Sequence, residues 1–229
     1  MRTVTLAPGR RADIHGDGPR SVLLWHGAEP DQRELLGPLA AGIAGHDLTV
    51  VVPDWRSDAD DGGRADLLGS VRLARETMTR AGADPDALVV AGWSLGGTAA
   101  VSLAVHARRL GITLKGVVLL AAAAEAVDPI SGSVLPDPLP PSDATVHVVQ
   151  GRDDTVVDPG TALILAQRLR AAGYATTITS VGADHGGIVM TRYDAEQARY
   201  VPNEAAEVLL TGESVADLVA AATRGSRRR

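Results

Sequence analysis

Residues 90–98 read V-A-G-W-S-L-G-G-T, and the serine at position 94 has glycine two places before it and two places after it. The apolar run Leu88–Ala91 before it is typical of a buried strand, and Leu95–Leu110 after it has the composition of a helix. Glycines in a sharp strand-to-helix turn remove side chains that would collide with neighbouring chain. The stretch therefore predicts Ser94 at the apex of a tight turn, where the free N–H groups of a helix N-terminus favour negative charge.

Short apolar, β-branched runs alternate with longer helical stretches along the whole chain. The predicted strands are Arg2–Leu6, Arg11–His15, Ser21–Trp25, Leu48–Val52, Leu88–Ala91, Leu114–Leu120, Thr145–Gln150 and Ala175–Val181. The predicted helices are Asp31–Ala44, Arg64–Ala81, Leu95–Leu110, Pro159–Ala172 and Pro202–Ala222, the last with Gly212 as a point where it can divide into two pieces. Most strands lack polar alternation, as strands buried on both faces do. This pattern predicts an α/β fold, in which an N-terminal hairpin precedes a mostly parallel sheet flanked by helices.

Composition excludes several classes of function. The chain has 229 residues, a length that suits a single domain over residues 1–223, and we expect the basic tail 224–229 to be a loose end. Without cysteine it has no disulfide and no thiol nucleophile. A net charge of −6 argues against nucleic-acid binding. The N-terminus has no signal-peptide pattern and no stretch is long and apolar enough to span a membrane, so a cytoplasmic protein is expected.

One proline-rich segment, Val127–Ser142, interrupts the alternation of strands and helices. It is too short for a lid domain, and we expect an ordered loop over the carboxyl edge of the sheet, where open α/β folds bind ligands. Trp55 and Trp93 are candidates either for lining such a site or for packing in the core.

A serine hydroxyl needs a base, and the base needs an acid that orients it. Of the six histidines, His185 stands in the glycine-rich loop G-A-D-H-G-G directly after the last predicted strand, whereas His26 is more typical of a structural hydrogen-bonding residue. Asp153 and Asp154 both follow the strand Thr145–Gln150. We prefer Asp154, because Asp153 is expected to be solvated or to brace the turn, and Asp153 stays the alternative. Asp158 has the character of a helix N-cap ahead of proline.

Over essentially its whole length the chain resembles the α/β-hydrolase family. Its order Ser94, Asp154, His185 is that family's order of nucleophile, acid and base, and G-x-S-x-G is the pattern of its nucleophile elbow, the strand-to-helix turn that carries the catalytic serine. The stretch from Gly151 to Val157 is similar to the family's G-x-x-D-x-x-V acid loop. The resemblance implies an α/β-hydrolase fold with a minimal lid.

The resemblance also implies an oxyanion hole. One donor is the backbone N–H of Leu95, which follows the nucleophile. The turn H-G-A-E at 26–29 is similar to the family's H-G-x turn, and this similarity makes Ala28 the second donor. The turn departs from the H-G-G-G type, so the resemblance to lipase-like members is weaker.

The implied activity is that of a serine esterase, a carboxylesterase that cleaves a small-molecule ester through an acyl-enzyme. Thioesterase and lactone hydrolase activities of the same fold are alternatives, and a non-catalytic binding module of this fold is another. No metal or organic cofactor is implied. The sequence leaves the acyl group, the leaving group and the oligomeric state open.

Overall fold

The computed structural model describes residues 1–142 and 144–224, which fold around an eight-stranded sheet. Its strands are β1 (Arg2–Ala7), β2 (Arg10–His15), β3 (Arg20–Trp25), β4 (Leu48–Pro53), β5 (Val89–Trp93), β6 (Gly116–Leu120), β7 (Thr145–Gly151) and β8 (Ala175–Val181). The helices are α1 (Gly37–Ala44), α2 (Arg64–Arg80), α3 (Leu95–Leu110), α4 (Pro159–Ala171) and α5 (Ala206–Ala222). Two short strands, β9 (Thr191–Asp194) and β10 (Arg199–Pro202), pair with each other. Residues 225–229 of the predicted basic tail lie outside the described residues.

The large sheet has the strand order β1-β2-β4-β3-β5-β6-β7-β8. β2 runs antiparallel to its neighbours β1 and β4, and the other neighbouring strands are parallel. The predicted N-terminal hairpin and mostly parallel sheet are confirmed. Since parallel strands end at the same edge, the segments that follow β3, β5, β7 and β8 all leave the sheet at its carboxyl edge.

Helices cover both faces of the sheet. α1 and α5 pack on one face, and α2, α3 and α4 pack on the other. Every residue of β4, β5 and β6 is buried, which explains why their sequences are apolar apart from Thr49 of β4. Each fully buried Val or Leu side chain contributes about 1.5–3 kcal/mol to the free energy of folding through the hydrophobic effect. Trp55 and Trp93, which the sequence left as site or core residues, both lie in this core.

The first helix is shorter than predicted, because it begins at Gly37 and not at Asp31. Asp31 has a positive φ of 57°, a conformation outside the right-handed helical region. Pro38 takes the first turn of α1, as proline favours. The residues before Gly37 form turns instead.

The prediction for the last helix was wrong at its start and at its middle. α5 begins at Ala206 and runs without a break through Gly212. A Cβ at position 212 would lie 2.3 Å from Met190 Cγ, so glycine here allows close packing instead of dividing the helix. This contact anchors the segment that follows His185 against α5.

The β9–β10 hairpin was not predicted. Its strands have four residues each, T-R-Y-D and R-Y-V-P, and most of these residues are only partly buried or exposed. Strands this short carry too little polar alternation to be recognised. Along the chain, the hairpin lies between the segment that carries His185 and α5.

The segment Val127–Ser142 is an irregular, ordered loop, as predicted. Asp128 is fully buried, and its Oδ1 accepts hydrogen bonds from the backbone N–H groups of Ile130 (2.8 Å) and Ser131 (2.7 Å). Arg64 Nε of α2 donates to Ile130 O at 2.8 Å. Apolar side chains of the loop, Ile130, Leu135 and Leu139, are buried in the core on the α3 side of the sheet.

Candidate active site

Ser94 occupies the turn between β5 and α3 in a conformation that few residues other than glycine adopt. Its φ is 54° and its ψ is −121°. A backbone of this kind costs on the order of 1–3 kcal/mol and persists only where the surroundings enforce it. Although Ser94 stands at the N-cap of α3, its hydroxyl does not cap the helix. The structure therefore keeps a half-buried hydroxyl in a strained turn without using it for helix capping.

The two glycines that flank Ser94 allow the turn to close. A Cβ at Gly92 would lie 2.1 Å from Gly96 O, inside the turn itself. A Cβ at Gly96 would lie 2.2 Å from His26 O, so Gly96 lets the start of α3 approach the turn after β3. The spacing in G-W-S-L-G thus has a steric cause on both sides of the serine.

The strained backbone at Ser94 is expected to lower the stability of the fold. Because glycine tolerates positive φ, we expect Ser94→Gly to raise the free energy of unfolding by about 1 kcal/mol relative to Ser94→Ala. Both variants lack the hydroxyl, so the comparison isolates the backbone term. Urea unfolding followed by circular dichroism measures it, and equal stability of the two variants would show that the turn is not strained.

His185 and Asp154 form a buried hydrogen-bonded pair. His185 Nδ1 lies 2.9 Å from Asp154 Oδ2, and the side chains are 5% and 0% exposed. Asp154 Oδ1 accepts from the backbone N–H groups of Val156 and Val157, each at 2.9 Å. Asp153, the alternative acid, is exposed. The carboxylate that faces the imidazole is therefore that of Asp154.

The hydrogen bonds to Asp154 keep its carboxylate ionised. Burial by itself raises the pKa of Asp154, but the hydrogen bonds from His185, Val157 and Val156 together outweigh it, and the pKa lies below its ordinary value. An ionised Asp154 fixes the proton of the neutral imidazole on Nδ1. Nε2 of His185 is then left as the basic nitrogen.

Backbone bonds hold the His185 loop against the acid loop. Arg152 N–H donates to Val181 O at 2.9 Å and Asp153 N–H donates to Ala183 O at 3.1 Å. In the described residues, Ser94 Oγ forms no hydrogen bond to Nε2 of His185, the ring nitrogen that does not face Asp154. The structure therefore joins the predicted base to the predicted acid, and it places both at the same sheet edge as Ser94, without a hydrogen bond between Ser94 and His185.

The two predicted oxyanion donors come from adjacent strands, β5 and β3. Leu95 is the first residue of α3, so its N–H has no partner within the helix. Ala28 follows β3 in an exposed position, and its carbonyl accepts a hydrogen bond from Ser57 Oγ. The close approach of Gly96 to His26 O brings these two segments together.

Similar solved structures share this architecture, although no protein-family model and no curated protein matches the sequence. An arylesterase has a TM-score of 0.68 at 16% identity, over 97% of this chain and 82% of that chain. An esterase from Pyrobaculum calidifontis has a TM-score of 0.69 at 17% identity, over 97% and 84%. Est2, an esterase from the Planctomycetes species Thermogutta terrifontis with propionate bound, has a TM-score of 0.67 at 15% identity, over 95% and 91%.

The chain has the α/β-hydrolase fold. The strand order, the antiparallel β2 and the helices on both faces agree with the fold that the sequence resemblance implied. In the described part of this α/β-hydrolase fold, no helix meets the length and hydropathy needed to cross a membrane.

His26 is a structural residue of this α/β-hydrolase fold. It is fully buried, its Nδ1 bonds Gly27 O at 3.0 Å, and its Nε2 accepts from Trp55 N–H at 3.3 Å. Its ring stacks on Trp55 with centroids 5.5 Å apart. Burial is the main cause that lowers the pKa of His26 to about 4. The imidazole thus shapes the turn that leads to Ala28 while staying neutral.

The low pKa of His26 predicts acid lability. Unfolded histidine has a pKa near 6.5, so its proton uptake favours the unfolded state as the pH falls from about 6.5 to about 4. We expect this group to remove up to about 3 kcal/mol of stability across that window. Urea unfolding at several pH values, with His26→Gln as the variant that cannot titrate, measures the difference; parallel pH profiles of the two proteins would contradict it.

A buried ion network, which the sequence did not reveal, fixes the segment after Ala28. Arg33 Nε lies 3.0 Å from Asp13 Oδ2 of β2, and Arg33 Nη1 lies 2.5 Å from Asp54 Oδ2 after β4. Both carboxylates are 3% exposed. Burial raises the pKa of Asp54 more than Arg33 lowers it. Charged residues are common on surfaces, so no local signal marks these three as partners.

Gln150 at the end of β7 supports the acid and was also missed. Its side chain is buried, and Nε2 donates to Asp154 Oδ2 at 3.0 Å. A polar residue directly after the apolar pair Val148-Val149, near the end of β7, is the one sequence signal that points to it. The Asp154 carboxylate thus has hydrogen bonds from an amide, an imidazole and two backbone N–H groups.

Two cavities border the Ser94 turn. One, of about 300 Å³, is lined by residues 123–126, 156–158 and Thr161. Ala123, on its wall, donates its N–H to Ser94 O at 3.4 Å. The other, of about 560 Å³, includes Leu95 and Ser57 in its lining, with Asp128 and Pro129 of the irregular loop. Space for bound molecules therefore exists beside Ala123 and beside Leu95, two residues close to Ser94.

Proposed function

We propose that this protein hydrolyses small carboxylic esters through an acyl-enzyme on Ser94. The observation that carries the proposal is the buried His185–Asp154 pair, at 2.9 Å, on the same sheet edge as a serine in a strained turn. A non-catalytic binding module gives no reason for strain at an uncapped serine beside such a pair. Strained backbones cluster at functional sites, which supports the proposal.

In the proposed reaction, His185 Nε2 removes the hydroxyl proton of Ser94 while Oγ forms a bond to the ester carbonyl carbon. The carbonyl π electrons move to its oxygen, and the resulting oxyanion accepts hydrogen bonds from the N–H groups of Leu95 and Ala28. The imidazolium then protonates the leaving alcohol as the C–O bond breaks. Water, deprotonated by His185, releases the acid and restores Ser94.

Asp154 has two tasks in this scheme. It keeps the neutral imidazole in the tautomer that exposes Nε2, and it stabilises the imidazolium that forms in each half of the reaction. Because its pKa is lowered, the carboxylate keeps its charge beside the imidazole. Each well-placed oxyanion donor contributes about 3–4 kcal/mol to the transition state.

The solved esterases support a carboxylic ester as the substrate class, because the arylesterase and the Pyrobaculum calidifontis esterase cover 97% of this chain with the same fold. The two cavities, of about 300 and 560 Å³, suit an acyl group and a leaving group of modest size. The Val127–Ser142 loop borders the larger cavity without covering the site as a lid domain would.

A colorimetric ester assay tests the proposal. We expect the wild type to hydrolyse short p-nitrophenyl esters, and Ser94→Ala and His185→Ala each to lower kcat by at least about 10³-fold. A panel of thioesters and lactones in the same assay separates the alternative substrate classes. Retention of full ester turnover by both variants would exclude Ser94 and His185 as nucleophile and base.

A fluorophosphonate probe separates an enzyme from a binding module without knowledge of the substrate. We expect covalent labelling of the wild type at Ser94, identified by peptide mass spectrometry, and no labelling of Ser94→Ala. Absence of labelling in folded wild-type protein would contradict an activated serine.

A further inference from the structure

The base must reach the serine across most of the parallel sheet. His185 follows β8, and the sheet order β5-β6-β7-β8 puts three strand spacings between it and β5, which ends beside Ser94. Three spacings of about 4.8 Å amount to roughly 14 Å. Contacts with the acid loop fix the His185 loop at β7, but they do not fix it relative to Ser94.

One side chain connects the two ends of this span. Trp93, the residue before Ser94, donates its indole Nε1–H to the backbone carbonyl of His185 at 2.9 Å. The indole is 1% exposed, so no solvent competes for this bond. Its ring also lies 5.1 Å from the imidazole, centroid to centroid, at an interplanar angle of 38°.

The same indole touches the turn that carries the second oxyanion donor. A Cβ at Gly27 would lie 3.1 Å from Trp93 Cζ3 and 3.2 Å from Cε3. Tyr200 of β10 packs edge-on against the indole with ring centroids 5.0 Å apart. One rigid ring, covalently next to the serine, is thus in contact with the His185 segment, with the turn before Ala28 and with the β9–β10 hairpin.

We propose that Trp93 is a positioning residue that sets the distance between Ser94 Oγ and the His185 imidazole through its bond to the His185 carbonyl. This inference rests on the proposed function. The Trp93 indole packs against the His185 imidazole and donates to the His185 carbonyl, but it exchanges no proton in the proposed reaction, so its loss acts through the geometry of attack. A displacement of about 1 Å in such a geometry lowers a rate by up to about 100-fold.

Trp25 provides a matched control within the chain. Its indole is also fully buried and also donates one hydrogen bond at 2.9 Å, to Ser70 Oγ of α2. It packs in the core on the α2 and α3 side, whereas Trp93 packs in the core on the α1 and α5 side. Trp25→Phe and Trp93→Phe therefore remove the same groups, and only the second removes a contact to His185.

The test compares both variants with the wild type in ester kinetics and in fluorophosphonate labelling. We expect Trp93→Phe to lower kcat and the labelling rate by about 10–100-fold with KM within about twofold, and Trp25→Phe to change neither by more than about twofold. Incorporation of β-(3-benzothienyl)alanine at position 93 replaces the indole N–H with sulfur and keeps the bicyclic shape, so it removes the hydrogen-bond donor and covers the case in which Trp93→Phe does not fold. Similar kinetics in the position-93 and position-25 variants would overturn the proposal.

A crystal structure of the position-93 variant separates this proposal from the proposed function. We expect the His185 ring to move by about 0.5 Å or more relative to Ser94 while its bond to Asp154 remains. An unmoved imidazole overturns the positioning role even where the protein hydrolyses esters. A shifted imidazole in the position-93 variant, together with a wild type that no fluorophosphonate labels, supports the positioning role and refutes the ester hydrolase.

Discussion

Replacing Asp154 with asparagine is expected to lower kcat for ester hydrolysis by about 10⁴-fold, one of the largest effects of any single substitution in this protein. Two backbone N–H groups, of Val156 and Val157, bind Oδ1 at 2.9 Å, and an asparagine satisfies them only with its carbonyl oxygen. Its NH₂ group then faces His185 Nδ1. Nδ1 must then accept that hydrogen bond, and the imidazole carries its proton on Nε2. A protonated Nε2 cannot remove the proton of Ser94.

Asp153→Asn is the matched control for this experiment, because Asp153 is the neighbouring acid, is exposed and makes no side-chain contact with His185 in the described structure. We expect its kcat and KM to stay within about twofold of the wild type. The two variants are compared in the same p-nitrophenyl ester assay after their folding is checked by circular dichroism. A large loss with Asp153→Asn and none with Asp154→Asn would reassign the acid.

Replacing Arg33 with methionine is expected to lower the free energy of unfolding by about 3–5 kcal/mol. The substitution leaves the carboxylates of Asp13 and Asp54, both 3% exposed, without their cationic partner. Asp54 is poorly compensated even in the wild type, since Oδ1 has no hydrogen-bond partner among the described residues. Chemical denaturation at pH 7 measures the loss.

Arg10→Met is the control, because the pair between Arg10 and Asp31 at 3.1 Å involves an Asp31 side chain that is 66% exposed. Removal of such a surface pair changes stability by less than about 1 kcal/mol. The loss from Arg33→Met should also shrink as the pH falls toward 4, because burial raises the pKa of Asp54 and its protonation relieves the unpaired charge in the folded variant. A loss below about 1 kcal/mol, or one independent of pH, would show that the network is not a source of stability.

Much of the fold could be predicted because its signals are local. Buried strands such as β5 are continuous apolar runs, and α3 begins directly after the glycine-rich turn. α4 begins at Pro159 after the N-cap Asp158, as predicted, and ends at Ala171, one residue before the predicted end. The prediction for α3 agrees with the structure at both ends. Predictions were less accurate for elements whose boundaries depend on other segments. The predicted first helix included Arg33, but Arg33 pairs with Asp13 and Asp54 in the segment before α1, which begins only at Gly37.

In the candidate site, too, local sequence signals predicted some residues and long-range contacts decided the others. The sequence singled out Ser94, Asp154 and His185, because each stands at the end of a strand with glycine nearby and in a recognisable order. Gln150, Arg33 and the indole of Trp93 act through contacts with residues far away in the chain, and sequence periodicity carries no information about such partners. Position 212 shows the same limit, since its glycine is explained only by Met190.

By itself the sequence determined the alternation of buried strands and helices and the strand ends at which reactive side chains stand, because hydrophobic burial and turn chemistry act on neighbouring residues. Only the tertiary structure decided which carboxylate faces the imidazole, which contacts hold His185 at the sheet edge where Ser94 lies, and which charges are buried together. Those outcomes depend on distances between segments that are remote in the chain, and such distances are fixed when the sheet and its helices pack.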